Sequence, residues 1–330
     1  MPILVLFGFM YLSLRLNTNT MFFLGDLKMK IFMTGGTGFV GTSLARRLVE
    51  QGHQVTILTR KISGDPTPSN GVSLLEGDPT KEGPWQEQVA SHEAVINLAG
   101  ASIFRRWTKE AKVMIRDSRV LTTQNLVEAM RECKGEKTTL ISTSAVGYYG
   151  FHGDEELDEN DPPGDDFLAS LSKDWEDAAS KAEQYSARVI ICRFGIVLGR
   201  RGGALSEMIP LFKIGLGSPL GSGKQWFSWI HEQDLVNVYL FLLDHKNISG
   251  PINCMAPESV TNREFTKALG TALKRPTFMP AVPGFMLKII KGEFGNILLK
   301  GQRVVPKKLL DAGFDFQFPR VNDALQDLLG

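Results

Sequence analysis

The chain has 330 residues, 43% hydrophobic and 22% charged, a composition typical of a globular protein with one large core or one large and one small domain. Its 37 basic and 36 acidic residues leave a net charge of +1, which argues against nucleic acid or an acidic membrane surface as the main partner. Three scattered cysteines and five histidines without metal-binding spacing argue against a disulfide framework and a metal site, and favour a reducing, cytoplasmic compartment.

The first 28 residues are set apart from the predicted fold. Ile3 to Leu16 is an apolar stretch broken by Arg15, too short for a comfortable transmembrane helix and without a clear cleavage site after it. Met29 directly precedes the first predicted strand. We interpret residues 1–28 as a start assigned too early or a disordered leader, with a membrane tether as the alternative.

From Lys30 onward, short apolar runs alternate with helical periodicity, which predicts βαβ units. Strands are predicted at Lys30–Thr34, Gln54–Arg60, Val72–Glu76, Ala94–Leu98, Thr139–Thr143 and Arg188–Arg193. Helices are predicted at Phe39–Gln51, Thr108–Arg131 and Leu168–Glu183. The fold class is therefore α/β, a Rossmann-type doubly wound parallel sheet with a smaller C-terminal substrate or cap portion.

The chain after residue 198 has a different texture. Residues 199–223 are rich in glycine, which is typical of loops that line a cleft. Asp234 is expected to cap a helix at Leu235–Leu243, and another helix is expected at Asn262–Leu273. We expect a Rossmann domain at 29–198, a cleft segment at 199–275 and a small C-terminal domain at 276–330. Whether later strands of the sheet return from the C-terminal half stays open.

A glycine-rich loop is the strongest motif. In Thr34 to Gly41, the three spaced glycines Gly35, Gly38 and Gly41 follow a strand and open an amphipathic helix. The first permits a tight turn, the second lets the backbone approach a pyrophosphate, and the third lets the helix pack on the sheet. Amides at the helix start favour a phosphate. The loop indicates dinucleotide binding, with a purely structural turn as the alternative.

The end of the second strand predicts which dinucleotide is bound. An NAD-selective site places Asp or Glu there to bind the ribose 2′-hydroxyl, but this chain has Thr59-Arg60-Lys61. A guanidinium can hold the 2′-phosphate of NADP(H) through two hydrogen bonds, and the lysine adds charge beside it. NADP(H) is therefore favoured, unless the two bases are ordinary surface residues.

Several segments together resemble the extended short-chain dehydrogenase/reductases. They are Thr34 to Gly41, Asn97-Leu98-Ala99-Gly100, Ser142-Thr143-Ser144-Ala145, Asp174-Trp175-Glu176, Trp229-Ile230-His231 and Gly301-Gln302-Arg303-Val304-Val305-Pro306. From about residue 29 to the end, the chain is similar to the atypical "epimerase family" members of the SDR39U type, which resemble nucleotide-sugar epimerases and carry a characteristic C-terminal domain.

The resemblance implies cofactor contacts at matching positions. Thr37, Phe39 and Val40 would follow the pyrophosphate, and Thr59 with Arg60 would hold the 2′-phosphate. Leu98, Ala99 and Gly100, around the end of strand four, would border the ribose and pyrophosphate. Ser142 is a further implied cofactor contact. Arg119 would face the cofactor from the long helix unless it is a plain surface arginine, and Leu168 would lie near the nicotinamide.

The catalytic pattern of such enzymes is incomplete here. Ser144 fits the serine at the end of strand five and Lys173 fits the lysine of Tyr-x-x-x-Lys, but Ala169 occupies the tyrosine position. Tyr148 or Tyr149 from the preceding loop could substitute, or serve only to pack it. His231 could donate a proton, although a structural role is the more ordinary one.

Two hypotheses follow. The first is an NADP(H)-dependent oxidoreductase or epimerase acting on a small molecule such as a nucleotide sugar or another polar carbonyl or hydroxyl compound. The second is a non-catalytic NADP(H) sensor or scaffold that regulates a protein partner. Neither involves a nucleic acid, a membrane or a metal, and a homodimer through the helices at 108–131 and 168–183 is an alternative to a monomer.

Overall fold

The computed structural model describes residues 28–62, 71–133, 138–200 and 202–330, so the leader discussed above lies outside the described residues, except for Lys28. The first half of the described chain alternates strands and helices. Its elements are β1 Lys30–Thr34, α1 Phe39–Glu50, β2 Gln54–Thr59, β3 Val72–Glu76, α2 Gln86–Val89, β4 Ala94–Asn97, α3 Lys109–Ala129 and β5 Thr139–Ala145.

The second half mixes longer helices with short strand pairs. Its elements are β6 Glu156–Leu157, α4 Phe167–Ser180, β7 Arg188–Phe194, β8 Ile196–Gly199, α5 Gly203–Lys213, β9 Trp226–Phe227, β10 Trp229–His231, α6 Glu232–Asp244, β11 Gly250–Cys254, β12 Val260–Thr261, α7 Asn262–Ala272, α8 Gly284–Lys291, α9 Glu293–Ile297, β13 Arg303–Val304, α10 Lys307–Asp311 and α11 Val321–Leu329. None of the helices in the described ranges is long and apolar enough to cross a bilayer.

The central sheet of the described chain has seven parallel strands in the order β3-β2-β1-β4-β5-β7-β11. The order runs one way from β1 to β3 and the other way from β4 outward. Ligands of open α/β sheets bind outside the carboxyl ends of the strands at such a reversal. The predicted fold class is confirmed. A ligand site is expected at the carboxyl ends of β1 and β4.

Both faces of the sheet are covered, because successive strand residues point to opposite sides. From β1, Ile31 and Met33 enter one core with residues of α1 and α6, whereas Phe32 enters the other with residues of α3 and α4. All three side chains are fully buried. Burial on both faces explains why the strands read as continuous apolar runs.

Beyond residue 198, the structure adds a strand and corrects two predictions. β11 lies in the segment assigned to the cleft and joins the central sheet, so one later strand does return from the C-terminal half. Residues 203–213 form α5, where only loops were expected, because Leu205 and Phe212 bury an apolar face. The prediction of Asp234 as a helix cap is wrong. α6 begins earlier with His231 as its N-cap, and the Asp234 carboxylate accepts hydrogen bonds from the Gln317 and Phe318 amides, both at 2.9 Å.

The carboxyl-terminal segment packs into the body of the protein. Leu309, Phe314 and Phe316 belong to the core between the sheet, α1 and α6. Val321 and Leu325 of α11 pack in a third core, together with residues of β10 and α7. β13 also pairs with β6. Residues 303–330 are therefore joined to the rest of the fold by shared cores and by a strand pairing.

Candidate functional site

The glycine loop after β1 is pressed against the end of β4. Gly35 has a φ of +69°, and a Cβ there would lie 2.6 Å from the carbonyl carbon of Leu98 and 2.8 Å from the amide nitrogen of Ala99. A Cβ on Gly41 would clash with the Gly35 carbonyl oxygen. Both positions therefore require glycine, and the loop and the β4 end form one continuous backbone surface.

The amino terminus of α1 opens onto this surface. Gly38 is the N-cap and supplies no side-chain hydrogen bond, and the first turn carries no acidic residue. Thr37 is exposed, and Val40 packs partly against the core. The first amides of α1 and the positive end of its dipole are therefore available to an anion.

The Phe39 side chain extends across to the turn after β8. A Cβ built on Gly202 would lie 2.7 Å from the Phe39 ring, and one on Gly199 or Gly203 would also meet it closely. These glycines therefore make room for an aromatic ring. The glycine-rich composition of this segment reflects packing against α1 as well as loop formation.

The end of β2 carries the residues expected to select the dinucleotide. Thr59 is half-buried and donates to the Lys61 carbonyl at 3.2 Å. Arg60 is exposed and forms no ion pair with any carboxylate in the described part of the chain. A guanidinium without an ion-pair partner among the described residues stands where an acidic residue would bind a ribose hydroxyl, and this favours a phosphate.

A second cation borders the loop after β4. The Arg119 guanidinium lies against exposed Gly100, where a Cβ would be 3.1 Å from Arg119 Cζ, and faces the Trp175 ring at 5.3 Å. It donates to the Ile115 carbonyl at 3.0 Å and has no carboxylate partner among the described residues. Burial lowers the pKa of Arg119 to about 10, so that it is still charged at neutral pH. A half-buried, uncompensated charge here favours an anionic ligand.

A buried network of polar side chains stabilises the end of β4. Asn97 accepts from the Thr34 hydroxyl at 2.7 Å and donates to the hydroxyls of Thr123 at 2.8 Å and Ser142 at 3.3 Å. The Trp175 indole also donates to Thr123, at 2.9 Å. The structure thus places the Ser142 side chain inside the sheet, under the surface formed by Leu98 and Ala99. No sequence motif marks Thr123, and it was not among the predicted site residues.

Ser144, at the end of β5, is fully buried in a charged network. Its hydroxyl donates to Glu176 at 2.6 Å, and Glu176 pairs with Arg193 through hydrogen bonds of 2.9 and 2.8 Å. Arg193 also donates to the Tyr149 hydroxyl, which in turn donates to Asn253. Burial raises the pKa of Tyr149 well above its usual range, so that it stays neutral. This network could have been suspected from the sequence, because Glu176 and Arg193 are opposite charges on the buried faces of α4 and β7.

The other residues of the expected catalytic set lie apart from Ser144. Lys173 is exposed and pairs with Asp177 at 2.6 Å, and Ala169 is fully buried. Leu168 of α4 lies against the turn that follows β5, where a Cβ built on Gly147 would be 3.1 Å from the Leu168 Cβ. Ser172, one turn later, is buried as well. This face of α4 therefore presents an aliphatic side chain and a small hydroxyl, with no phenol.

His231 and Tyr148 were the remaining candidates. His231 Nδ1 accepts from the Gln233 amide at 3.0 Å, and its ring stacks on Phe318 with 3.9 Å between centroids. It is 2% exposed, and it caps α6. Tyr148 is half-buried, and its ring covers the Arg193 guanidinium at 3.5 Å. Tyr148 is thus the accessible phenol next to the buried network.

The chain matches known proteins over most of its length. Residues 31–254 match the NAD dependent epimerase/dehydratase family, and residues 282–328 match a domain of unknown function, DUF1731. The "Epimerase family protein SDR39U1 homolog, chloroplastic" of Arabidopsis thaliana is 40% identical over 311 residues, covering 92% of this chain and 88% of that protein. The human epimerase family protein SDR39U1 is 36% identical over 309 residues, covering 91% of this chain and 100% of that protein.

Solved structures show the same relationship. The human epimerase family protein SDR39U1, crystallised with NADPH, superimposes with a TM-score of 0.79 at 34% identity and covers 91% of this chain and 99% of that chain. A nucleoside-diphosphate sugar epimerase from Corynebacterium glutamicum gives a TM-score of 0.74 at 33% identity, covering 92% of this chain and 59% of that chain. The resemblance noted from the sequence is confirmed, and the chain belongs to the NAD dependent epimerase/dehydratase family, among the SDR39U1-type epimerase family proteins.

Proposed function

We propose that the protein binds NADP(H) at the carboxyl ends of β1, β2 and β4. The observation that carries the proposal is Arg60 at the end of β2. It pairs with no carboxylate of the described residues and stands where an acidic residue would select NAD. The open α1 terminus suits the pyrophosphate, and Arg119 supplies a second positive charge on the opposite side of the loop. The human relative's structure with NADPH supports the same assignment.

The test is to compare Arg60→Glu with Lys61→Glu, its neighbour, in titrations with NADPH and NADH. A lost charged hydrogen bond costs about 1.5–3 kcal/mol, so Arg60→Glu should weaken NADPH binding by roughly 10- to 150-fold. NADH binding should change little. Equal losses for the two cofactors, or equal effects of the two variants, would contradict a 2′-phosphate contact at Arg60.

The activity we infer is hydride transfer at an oxygen-bearing carbon of a small polar substrate, either reduction or redox-based epimerisation. Bound NADP(H) would supply the hydride or accept it. Leu168 would keep water from the reacting face, while Tyr148 is the accessible phenol for proton exchange. Nucleotide sugars fit the family's name, and we propose them as the first substrates to test.

Mixing the purified protein with NADPH or NADP⁺ and panels of nucleotide sugars and carbonyl compounds tests the activity. An absorbance change at 340 nm or a new epimer is expected. Tyr148→Phe should slow it, whereas Tyr185→Phe, a tyrosine outside the site, should not. If no compound turns over, the oxidoreductase proposal fails while NADP(H) binding stands.

A non-catalytic NADP(H) sensor is the second candidate. It is favoured by the commitment of the Ser144 hydroxyl to Glu176 and by the absence of a phenol on α4, an element the structure describes throughout. A sensor must bind the reduced and oxidised cofactors with different structural effects. Hydrogen exchange in residues 98–108 should therefore differ between NADPH and NADP⁺. Identical protection with both would remove this candidate.

We further propose a reducing compartment such as the cytoplasm, because the three cysteines are all free.

We also propose a homodimer through α3 and α4, because α3 exposes Val113, Met114 and Leu121. Light scattering should show a dimer that Val113→Glu converts to a monomer. A monomeric wild-type protein would refute the dimer.

A further inference from the structure

Exposed apolar side chains are concentrated on the C-terminal part of the described chain. The three most exposed are Phe278 at 79%, Ile289 at 71% and Ile214 at 69%. Within α8, Phe285 and Ile289 lie one helical turn apart on an exposed side, whereas the Leu287 side chain between them is buried. Side chains of this size exposed together mark a surface that contacts something apolar.

The exposed residues come from two segments that the fold holds side by side. Leu220 pairs with Val282 in an isolated bridge. The Gly221 amide donates to the Val282 carbonyl and the Val282 amide donates to the Pro219 carbonyl, both at 2.9 Å. The segments 211–221 and 274–292 are thus joined where residues 219–221 meet Val282. We refer to the exposed side chains of these two segments as the α8 face.

The charge of the α8 face differs sharply from that of the whole chain. Neither segment contains an aspartate or a glutamate, although the full chain has 36 acidic and 37 basic residues. None of the segments' basic side chains forms an ion pair with a described carboxylate. These bases are Lys213, Lys274, Arg275, Lys288 and Lys291. The near-neutral total therefore conceals a local patch that is both apolar and basic.

We propose that the α8 face docks the protein on the surface of an anionic lipid bilayer. Phe285 and Ile289 would enter the headgroup region, as interfacial helices do, while Lys288 and its neighbours would meet lipid phosphates and carboxylates. A second copy of the same face is disfavoured as the occupant, because it would bring basic side chains against basic side chains. The docking is peripheral and independent of the proposed NADP(H) chemistry.

Sedimentation of the full chain with vesicles tests the docking. Vesicles of phosphatidylcholine with about 30% phosphatidylserine should bind the protein, phosphatidylcholine alone should bind it weakly, and salt should release it. Phe285→Ser/Ile289→Ser should reduce binding roughly tenfold or more, and Leu310→Ser, an exposed leucine elsewhere, should not. Lys288→Glu should weaken binding, whereas Lys246→Glu, in the exposed turn after α6, should not.

Insertion gives an independent measurement. The fluorescence of a Phe285→Trp variant should be quenched by brominated lipid more strongly than that of the wild-type protein. Absence of binding to anionic vesicles would overturn the proposal. So would unchanged binding by the folded Phe285→Ser/Ile289→Ser variant, because the contact would then lie elsewhere in the chain. A concentration-dependent oligomer dispersed by the same variant, without vesicle binding, would replace the bilayer with a second copy.

Discussion

Glu176 and Arg193 face each other with side chains only 8% and 3% exposed, and Ser144 donates to the same carboxylate. Removing charges from water is costly, and the pair offsets that cost only while both partners and their hydrogen bonds are present. Arg193 is further held by the Tyr149 hydroxyl and the Tyr148 ring. At the position where relatives are expected to activate a substrate, this chain therefore has a structural ion pair.

Replacing one partner should be strongly destabilising. We expect Glu176→Gln to lower the free energy of unfolding by about 3 kcal/mol or more, because Arg193 would be left buried without a counter-charge. Asp177→Asn, which removes only the exposed pair with Lys173, should leave the free energy of unfolding nearly unchanged. Urea unfolding measures both, and similar losses for the two variants would show that burial of the pair does not matter.

At the scale of elements, the start of α6 depends on the protonation state of its cap. Burial lowers the pKa of His231 below its ordinary 6.5, although Asp327, 3.3 Å from Nε2, opposes this. The folded protein therefore keeps the ring neutral, with Nδ1 accepting from the Gln233 amide. The unfolded chain takes up a proton near pH 6.5. The stability that the cap contributes is fully present above that pH and is lost as the pH falls below it.

The prediction is that unfolding stability declines between about pH 7 and pH 5, and that His231→Asn flattens part of this decline. Asparagine can still cap the helix but does not titrate. Asp327→Asn keeps the histidine and removes the opposing charge, so the decline should persist. Thermal melts across the range measure the slope, and a His231→Asn slope equal to the wild type would exclude this linkage.

Local pattern explains which elements could be predicted. The strands β1 to β5 and β7 are apolar runs with clear ends, and the glycine loop is contiguous in sequence. β11 has the sequence Gly-Pro-Ile-Asn-Cys, which shows no pattern typical of a buried strand. It is a strand because it pairs with β7. Asp234 was predicted as the helix cap because aspartate is a common cap residue. The residue that caps α6 is His231, through a ring nitrogen, and histidine is not among the usual cap residues. The contacts of Ser144 depended on Glu176 and Arg193, whose proximity comes from packing α4 on the sheet.

At the scale of the whole molecule, the last third of the chain completes the cores begun by the first. Leu309 is fully buried among residues of the sheet and α6, whereas its neighbour Leu310 is 48% exposed. Arg200 reaches the carbonyl oxygen of Asp327 in α11. The protein should therefore unfold as one unit.

Leu309→Ala should lower the free energy of unfolding by about 2–5 kcal/mol through the cavity it leaves, and Leu310→Ala should change it little. The loss should be seen equally by probes in the glycine loop and in α11. Two separate unfolding transitions, with only the C-terminal one shifted by Leu309→Ala, would show instead that residues 276–330 behave as an independent domain.

The pairing of β13 with β6, and the contacts of α11 with residues near β8 and β10, have a consequence for synthesis. Translation makes the glycine loop well before β13 and α11, so a nascent chain carries the nucleotide-binding sequence long before it can bury its cores. A ribosome that stalls before α11 would leave an exposed apolar polypeptide. Cellular quality control would thus recognise a chain stalled before α11 by its unburied apolar surface.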